Sequence, residues 1–152
     1  MKQQETVDYF LKVVWQNVSN AYNQIASGFG ITQAIGYMLI NIDKEGTAVS
    51  KLAGLLGVKA TSLSRMLNNM EQLGLIYRET AAGDKRSVKV YLTDLGREKR
   101  HLARQVVINF NEYLNDELST QEKNNLIATL QKLNKLTLAY TSTIENDEQK
   151  NK

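Results

Sequence analysis

The 152-residue sequence predicts a mainly α-helical protein that carries one small β-hairpin. Apolar residues recur at steps of three and four through most of the chain, which is typical of amphipathic helices. Two β-rich runs, at residues 75–79 and 87–92, flank a glycine-containing turn and predict the hairpin. The chain contains no proline, so nothing interrupts the helical segments. Its length fits one domain, and we expect residues 1–152 to form it.

The first predicted helix covers about residues 5–26 and ends at Gly28-Phe29-Gly30, because glycine suits helix exits. Its apolar stripe consists of Val7, Phe10, Leu11, Val14, Trp15, Val18, Tyr22 and Ile25.

Three short helices precede the hairpin, at residues 31–43, 49–56 and 59–73, and a glycine follows each of them. The residues expected to face inward are Ile35, Met38, Leu39, Ile42, Leu52, Ala53, Leu56, Leu63, Met66, Leu67, Met70 and Leu73. A short helix, a glycine-containing turn, a second helix and a hairpin form a helix-turn-helix with a β wing. We therefore expect one lobe over residues 31–93, with its wing at residues 75–93.

Two long helices complete the chain. Thr93 is the predicted N-cap of a connecting helix over residues 94–114. Ser119 and Glu122 have the spacing of a capping box, which opens the last helix. The tail, residues 146–152, is polar and expected to fray.

The terminal segments, residues 1–30 and 115–145, carry more apolar surface than a small lobe could cover. We expect them to be dimerisation helices that pack against a second copy of the chain. The alternative is an intramolecular helix bundle.

Composition argues against several classes of function. The chain has no cysteine, which excludes disulfides, thiolate catalysis and cysteine zinc sites. The single histidine, His101, cannot form a metal cluster alone, and we expect it to be a surface residue. No phosphate-cradling glycine loop occurs, so we predict that the chain is not an enzyme and uses no cofactor or metal. No apolar run approaches about 18 residues, and the N-terminus lacks a signal-peptide core, so we expect a cytoplasmic protein without a membrane partner.

The charge is unevenly distributed. Residues 51–104 contain 11 Lys and Arg against 5 Asp and Glu, whereas the rest of the chain contains 8 against 11. The basic middle segment suggests an anionic partner, although an uneven solvated surface would give the same count.

Three motifs in this segment identify the family that the chain resembles. Residues 49–58 read VSKLAGLLGV, residues 61–76 read TSLSRMLNNMEQLGLI, and the wing carries Asp84-x-Arg86 followed by Leu92-Thr93-x-x-Gly96. In this order and spacing, over nearly the whole chain, they resemble the MarR (multiple antibiotic resistance regulator) family of winged helix-turn-helix transcription factors. The resemblance implies a homodimeric repressor that binds a pseudo-palindromic operator in double-stranded DNA. The two recognition helices would enter successive major grooves about 34–36 Å apart.

The helix over residues 59–73 would be the recognition helix. The polar residues expected on its outer face are Thr61, Ser62, Ser64, Arg65, Asn68 and Asn69. Arg65 could pair bidentately with guanine and an asparagine with adenine, while the hydroxyls could reach bases or phosphates. The alternative is that these small polar residues only cap the helix and keep its outer face soluble.

Lys51 and Lys59 are candidate phosphate contacts. Lys59 occupies the position of the helix N-cap, where the family usually has a small hydroxyl residue, and lysine cannot accept backbone N–H bonds. Either Thr61 caps the helix instead, or Lys59 gives up helix stability for a phosphate contact.

At the wing, the predicted DNA contacts are Asp84, Lys85, Arg86 and Lys89. An arginine in the minor groove reads groove width and negative potential. Asp84 can hold Arg86 extended through a charge-assisted hydrogen bond, which is also the role that the family resemblance implies. The two lysines would attract phosphates. The alternative is an exposed turn ion pair, worth at most about 1 kcal/mol.

The family often binds small aromatic ligands between its dimerisation helices and its DNA-binding lobe. Trp15, Tyr22, Tyr37 and Met38 could line such an effector pocket, but aromatic residues at helical spacing are also typical of a core. The alternative function is a winged-helix module that binds protein without specific DNA binding, for which Arg86→Ala would leave function intact.

Overall fold

The computed structural model describes residues 5–56, 59–80 and 88–150. The chain divides into two compact units, Met1–Ile108 and Asn109–Lys152, and each is described by itself. In chain order, the elements are α1 (Val7–Ser27), α2 (Gln33–Ile40), β1 (Thr47–Ala48), α3 (Val49–Leu56), α4 (Ala60–Gln72), β2 (Ile76–Thr80), β3 (Val88–Leu92), α5 (Asp94–Glu117) and α6 (Thr120–Lys150).

The predicted fold class, mainly helical with a small β wing, is confirmed. The sheet nevertheless has three strands in the order β1-β3-β2, and all pairs are antiparallel. The predicted hairpin supplies β2 and β3, with Ile76 opposite Leu92. The third strand, β1, pairs Thr47 with Val90. Sequence reasoning missed β1 because two residues are too few to show an alternating pattern.

The core of the first unit lies between α2, α3, α4 and the sheet. Its fully buried side chains include Met38, Leu39, Ile42, Leu52, Leu63, Leu67, Met70, Ile76 and Val90. Every one of the helical members of this set was predicted to face inward. Burial of each such aliphatic side chain contributes about 1.5–3 kcal/mol to folding before conformational entropy is subtracted.

Leu73 is a correction, because the side chain predicted to face inward is 45% exposed. Helix α4 ends at Gln72, and Leu73 occupies the C-cap. Gly74 follows with a φ of 68°, a left-handed conformation that turns the chain away from the helical path.

The junction between the wing and α5 depends on Thr93. Its Oγ1 donates a hydrogen bond of 2.6 Å to the Gly74 carbonyl and accepts one of 3.0 Å from the Gly96 amide. The predicted N-cap is thus confirmed, and the same hydroxyl ties the end of α4 to the start of α5.

The second unit contains the C-terminal part of α5 and all of α6. The predicted capping box is present: the Glu122 amide donates to Ser119 Oγ at 3.3 Å, and the Ser119 amide donates to Glu122 Oε2 at 2.9 Å. The Ser119 hydroxyl also donates to Glu122 Oε2 at 2.6 Å. This bond, followed by the one from the Ser119 amide, lowers the pKa of the Glu122 carboxyl. Helix α6 continues to Lys150, so residues 146–150 of the predicted polar tail are helical.

None of the helices in the described part of the chain combines the length and the apolar character that a membrane crossing requires.

Candidate nucleic-acid interface

Helix α4 has one apolar and one polar side. Leu63, Leu67 and Met70 are buried against the core at the spacing of successive turns. The six residues predicted to contact DNA are all exposed: Thr61, Ser62, Ser64, Arg65, Asn68 and Asn69. Among the described residues, none forms a hydrogen bond or ion pair with the Arg65 side chain. The role of these six residues in DNA binding stays a prediction, and all six are exposed to solvent.

The N-terminus of α4 excludes one of the two alternatives at Lys59, and the phosphate contact of Lys59 stays a prediction. Lys59 is the N-cap, with φ −63° and ψ 147°, and its side chain makes no capping bond. The helix begins at Ala60, so Thr61 already lies inside the first turn, and the interpretation that Thr61 caps the helix is wrong. Exposed backbone N–H groups at a helix start favour an anion, and Lys59 adds a positive charge there.

Lys51 on α3, the other candidate phosphate contact, has a partner within the chain. Its Nζ lies 3.1 Å from Asp43 Oδ2, and both side chains are more than half exposed. The hydrogen bond from Lys51, followed by its charge, lowers the pKa of Asp43. A phosphate would therefore compete with this carboxylate for Lys51.

The predicted wing contacts divide into two groups. Asp84, Lys85 and Arg86 lie outside the described residues. Lys89 is described: it is exposed on β3, opposite Glu79 of β2. Its role as a phosphate contact stays a prediction.

Arg78, which was not among the predicted site residues, joins β2 to α4. Its Nη2 donates to Asn68 Oδ1 at 2.8 Å, and its Nε and Nη2 donate to Glu71 Oε2 at 3.1 Å and 2.5 Å. The hydrogen bonds from Arg78 lower the pKa of Glu71. No sequence pattern indicates this contact, because it crosses the turn between α4 and β2 and depends on how that turn closes.

A mostly apolar cleft lies between α1, α2 and the first half of α5, all within the first unit. Its empty volume is about 390 Å³, including the part open to solvent. The lining residues are Tyr22, Ala26, Phe29, Ile31, Gln33, Gly36, Tyr37, Ile40, Ala103, Val106 and Val107.

The structure brings two of the four predicted pocket residues to this cleft. Tyr22 is half-buried, and burial raises the pKa of its phenol; Tyr37 is 48% exposed. Trp15 and Met38 are not among the lining residues. Trp15 is 58% exposed on α1, whereas Met38 is fully buried in the core. Ligand binding by any of the four stays a prediction.

Within the described ranges, no group of histidine, aspartate or glutamate side chains is arranged to hold a metal ion. His101 is exposed on α5.

Comparisons with known proteins agree with this architecture. The MarR family model matches residues 39–88, which run from the end of α2 to the start of β3. A putative transcriptional regulatory protein for the hcr operon of Thauera aromatica is 26% identical over 118 residues, which cover 74% of this chain and 71% of that protein.

Several solved structures share the fold, and two of them are similar to this chain over most of its length. A cysteine-to-serine mutant of MarR from E. coli, complexed with operator DNA, is 26% identical with a TM-score of 0.77, covering 88% of this chain and 98% of that chain. MepR of S. aureus in a DNA complex is 23% identical with a TM-score of 0.79, covering 87% and 98%. These matches also support the prediction that the chain is not an enzyme. In sequence over residues 39–88, and in fold over most of its length, the chain is similar to the winged helix-turn-helix transcription regulators of the MarR family.

Proposed function

We propose that the protein is a homodimeric repressor that binds a pseudo-palindromic operator. Helix α4 of each copy would enter the major groove, and the wing would reach the adjacent minor groove through Arg86. The observation that carries the proposal is the division of α4, whose apolar side is buried while its six polar residues face solvent. The operator complex of the E. coli relative supports the same use of the fold.

The exposed apolar surface of the terminal helices supports the dimer. On α1, Val7, Phe10, Val14 and Trp15 are each more than half exposed in the single chain. Helix α6 separately exposes Leu126, Ile127, Leu130, Leu136, Leu138 and Tyr140. Contiguous apolar surface on this scale marks an interaction site, and a two-fold dimer buries the same surface on both copies.

The DNA proposal is tested by selecting bound fragments from a genomic library with the wild-type protein, Arg65→Ala, Arg86→Ala and Lys135→Ala. Arg65→Ala is expected to lose preference at one base pair per half-site, a change of about 5-fold to 150-fold for a bidentate contact worth about 1–3 kcal/mol. Arg86→Ala is expected to weaken binding with less change in the motif. Lys135 is exposed on α6, a helix that is not proposed to contact DNA, so its variant removes one positive charge and should behave as the wild type.

Wild-type protein that enriches no motif would contradict sequence-specific binding and would favour the protein-interaction module. Retention of full affinity and motif by both arginine variants would remove α4 and the wing from the DNA interface.

We further propose that a small aromatic ligand releases the repressor from DNA by binding in the cleft between α1, α2 and α5. Its apolar lining and the Tyr22 and Tyr37 rings suit a flat aromatic molecule. Such a ligand changes DNA affinity only if it binds the free and DNA-bound conformations with different affinities.

The ligand proposal is tested with a panel of phenols and aromatic carboxylates, by thermal shift and by DNA release. Val106→Phe places a larger side chain in the cleft and is expected to abolish the ligand response while keeping operator binding. Equal responses of the wild type and Val106→Phe would place the ligand elsewhere, and a panel without any response would contradict the aromatic-ligand proposal.

A further inference from the structure

Arg78 links Glu71 to Asn68, which is one of the residues that we propose at the DNA interface. Asn68 and Glu71 are three residues apart on α4, so they lie on the same side of the helix. The Arg78 side chain, which is 29% exposed, reaches both residues from β2. Glu71 binds it with charge-assisted bonds at Nε and Nη2, and the same Nη2 donates to Asn68 Oδ1 at 2.8 Å. Glu71 thereby fixes the orientation of the planar guanidinium, and this orientation directs Nη2 at Asn68.

This contact fixes which way round the Asn68 carboxamide lies. A guanidinium has five N–H donors and no acceptor, so it can pair only with the oxygen of the amide. A flipped amide would place N–H against N–H and would lose the bond. Asn68 is exposed, and its Nδ2 amine is left to donate two hydrogen bonds away from Arg78.

An asparagine that reads adenine needs its oxygen and its amine side by side, since it accepts from N6 and donates to N7. An oxygen already directed at a positively charged guanidinium is a poor acceptor for the N6 amine, which carries partial positive charge itself. The amine of Asn68 instead suits a group that offers acceptors alone. In the major groove these are the N7 and O6 atoms of guanine and the O4 atom of thymine.

We propose that Arg78 is a positioning residue for specificity. By holding the Asn68 oxygen toward the wing, it makes Asn68 a donor-only reader of guanine or thymine and disfavours adenine. This inference rests on the proposed function, because it assumes that α4 enters the major groove. It also gives the wing a part in base recognition that is separate from Arg86, since β2 orients a side chain of the recognition helix.

The test measures base preference by selection from a library randomised around the wild-type site, with the wild type, Asn68→Ala, Asn68→Asp, Arg78→Met and Arg78→Lys. Asn68→Ala identifies the base pair that Asn68 contacts. At that pair the wild type is expected to prefer guanine or thymine over adenine by at least about 5-fold, the lower end for a good base contact. Arg78→Met frees the amide oxygen and should raise the relative affinity for adenine at this pair alone.

Asn68→Asp keeps an acceptor for Arg78 but removes both donors, so preference at this pair should shift toward cytosine, whose N4 amine is a donor. Arg78→Lys retains the charge without the planar fork, so it covers the case in which Arg78→Met does not fold, and it should relax the preference as well. Arg104→Met, at an exposed position of α5, is the matched control and should keep the wild-type preference.

The outcomes separate the two proposals. Wild-type protein without any enriched motif would remove the proposed function itself. An enriched wild-type motif whose preference is unchanged in folded Arg78→Met or Arg78→Lys would overturn the role of Arg78 while leaving DNA binding in place. A wild-type preference for adenine at the Asn68 pair would likewise overturn it.

Discussion

At Gly96, the start of α5 lies close against the backbone of Leu75, the residue before β2. A Cβ atom built on Gly96 would lie 1.9 Å from the Leu75 carbonyl oxygen, far inside van der Waals contact. That carbonyl also accepts a hydrogen bond of 3.1 Å from the Thr93 amide. Only a residue without a side chain lets α5 begin this close to the end of the turn after α4.

We predict that Gly96→Ala lowers the free energy of unfolding by about 1–3 kcal/mol, the usual cost of forcing extra atoms into a packed site. Gly54→Ala is the control, because in the described part of the chain no atom beyond its neighbours and the backbone of α3 lies within 4 Å of a Cβ at Gly54. Alanine loses less backbone entropy on folding than glycine does, so Gly54→Ala should be about 0.5–1 kcal/mol more stable. Urea unfolding at one fixed protein concentration measures both, and an unaffected Gly96→Ala would show that the junction can open without cost.

Glu71 gives the molecule a predictable sensitivity to acid. Arg78 lowers the pKa of Glu71 in the folded state, so ionised Glu71 stabilises the fold at neutral pH. This contribution is complete above the ordinary glutamate pKa of about 4.3 and is lost as the pH falls through the lower folded value. The wild type should therefore be more stable than Glu71→Gln at pH 7, and the difference should shrink on acidification below about pH 4.3.

Unfolding curves at a series of pH values from 7 to 3 measure this difference, and the Arg78→Met background is the control. Without the guanidinium, Glu71→Gln should change the free energy of unfolding by an amount that hardly varies with pH. A pH-dependent difference of the same size in both backgrounds would assign the effect to a group other than Arg78.

At the scale of elements, the helices were predictable because each presents several turns of apolar residues to one core. On α4, the buried residues at successive turns are Leu63, Leu67 and Met70. The capping box of Ser119 and Glu122 marks the start of α6. The features that the sequence did not predict depend on contacts between a few residues that are separated in the chain. Strand β1 has two residues, and the bond from Arg78 to Asn68 spans ten positions. Neither the two-residue strand nor this single bond produces a periodic pattern in the sequence.

The start of α4 combines a weak cap with a positive charge. Lys59→Ser would supply the missing acceptor for a backbone N–H group, and we predict a gain of about 1 kcal/mol in the free energy of unfolding. If Lys59 contacts a phosphate, the same variant should reduce the slope of log affinity against log salt by about 0.9. A titration of operator binding between 50 and 200 mM salt, roughly the range over which such slopes are measured, provides the value.

Lys44→Ser is the matched control, since Lys44 is exposed in the turn between α2 and β1 and starts no helix. It should change neither stability nor the salt slope. A more stable Lys59→Ser with an unchanged slope would mean that Lys59 costs helix stability without contacting DNA.

At the scale of the whole molecule, the two kinds of surface lie on different parts of the sequence. The polar face of α4 belongs to the basic segment, residues 51–104, whereas the exposed apolar side chains of α1 precede that segment. Binding of two half-sites requires two copies of α4 held at a fixed spacing. Dimer formation by the terminal helices would therefore be a condition for tight operator binding.

Val14 lies in the middle of the apolar stripe of α1 and is 59% exposed in the single chain. We predict that Val14→Glu shifts the protein from dimer to monomer, because a buried, unpaired carboxylate at the interface would be strongly unfavourable. Loss of the linked second half-site should weaken operator binding by about 10²–10⁴-fold, whereas affinity for a single half-site should change little. Gln16→Glu adds the same charge outside the stripe and is the control. Sedimentation equilibrium with circular dichroism on the same samples distinguishes dissociation from unfolding, and a folded Val14→Glu that remains dimeric would exclude α1 from the interface.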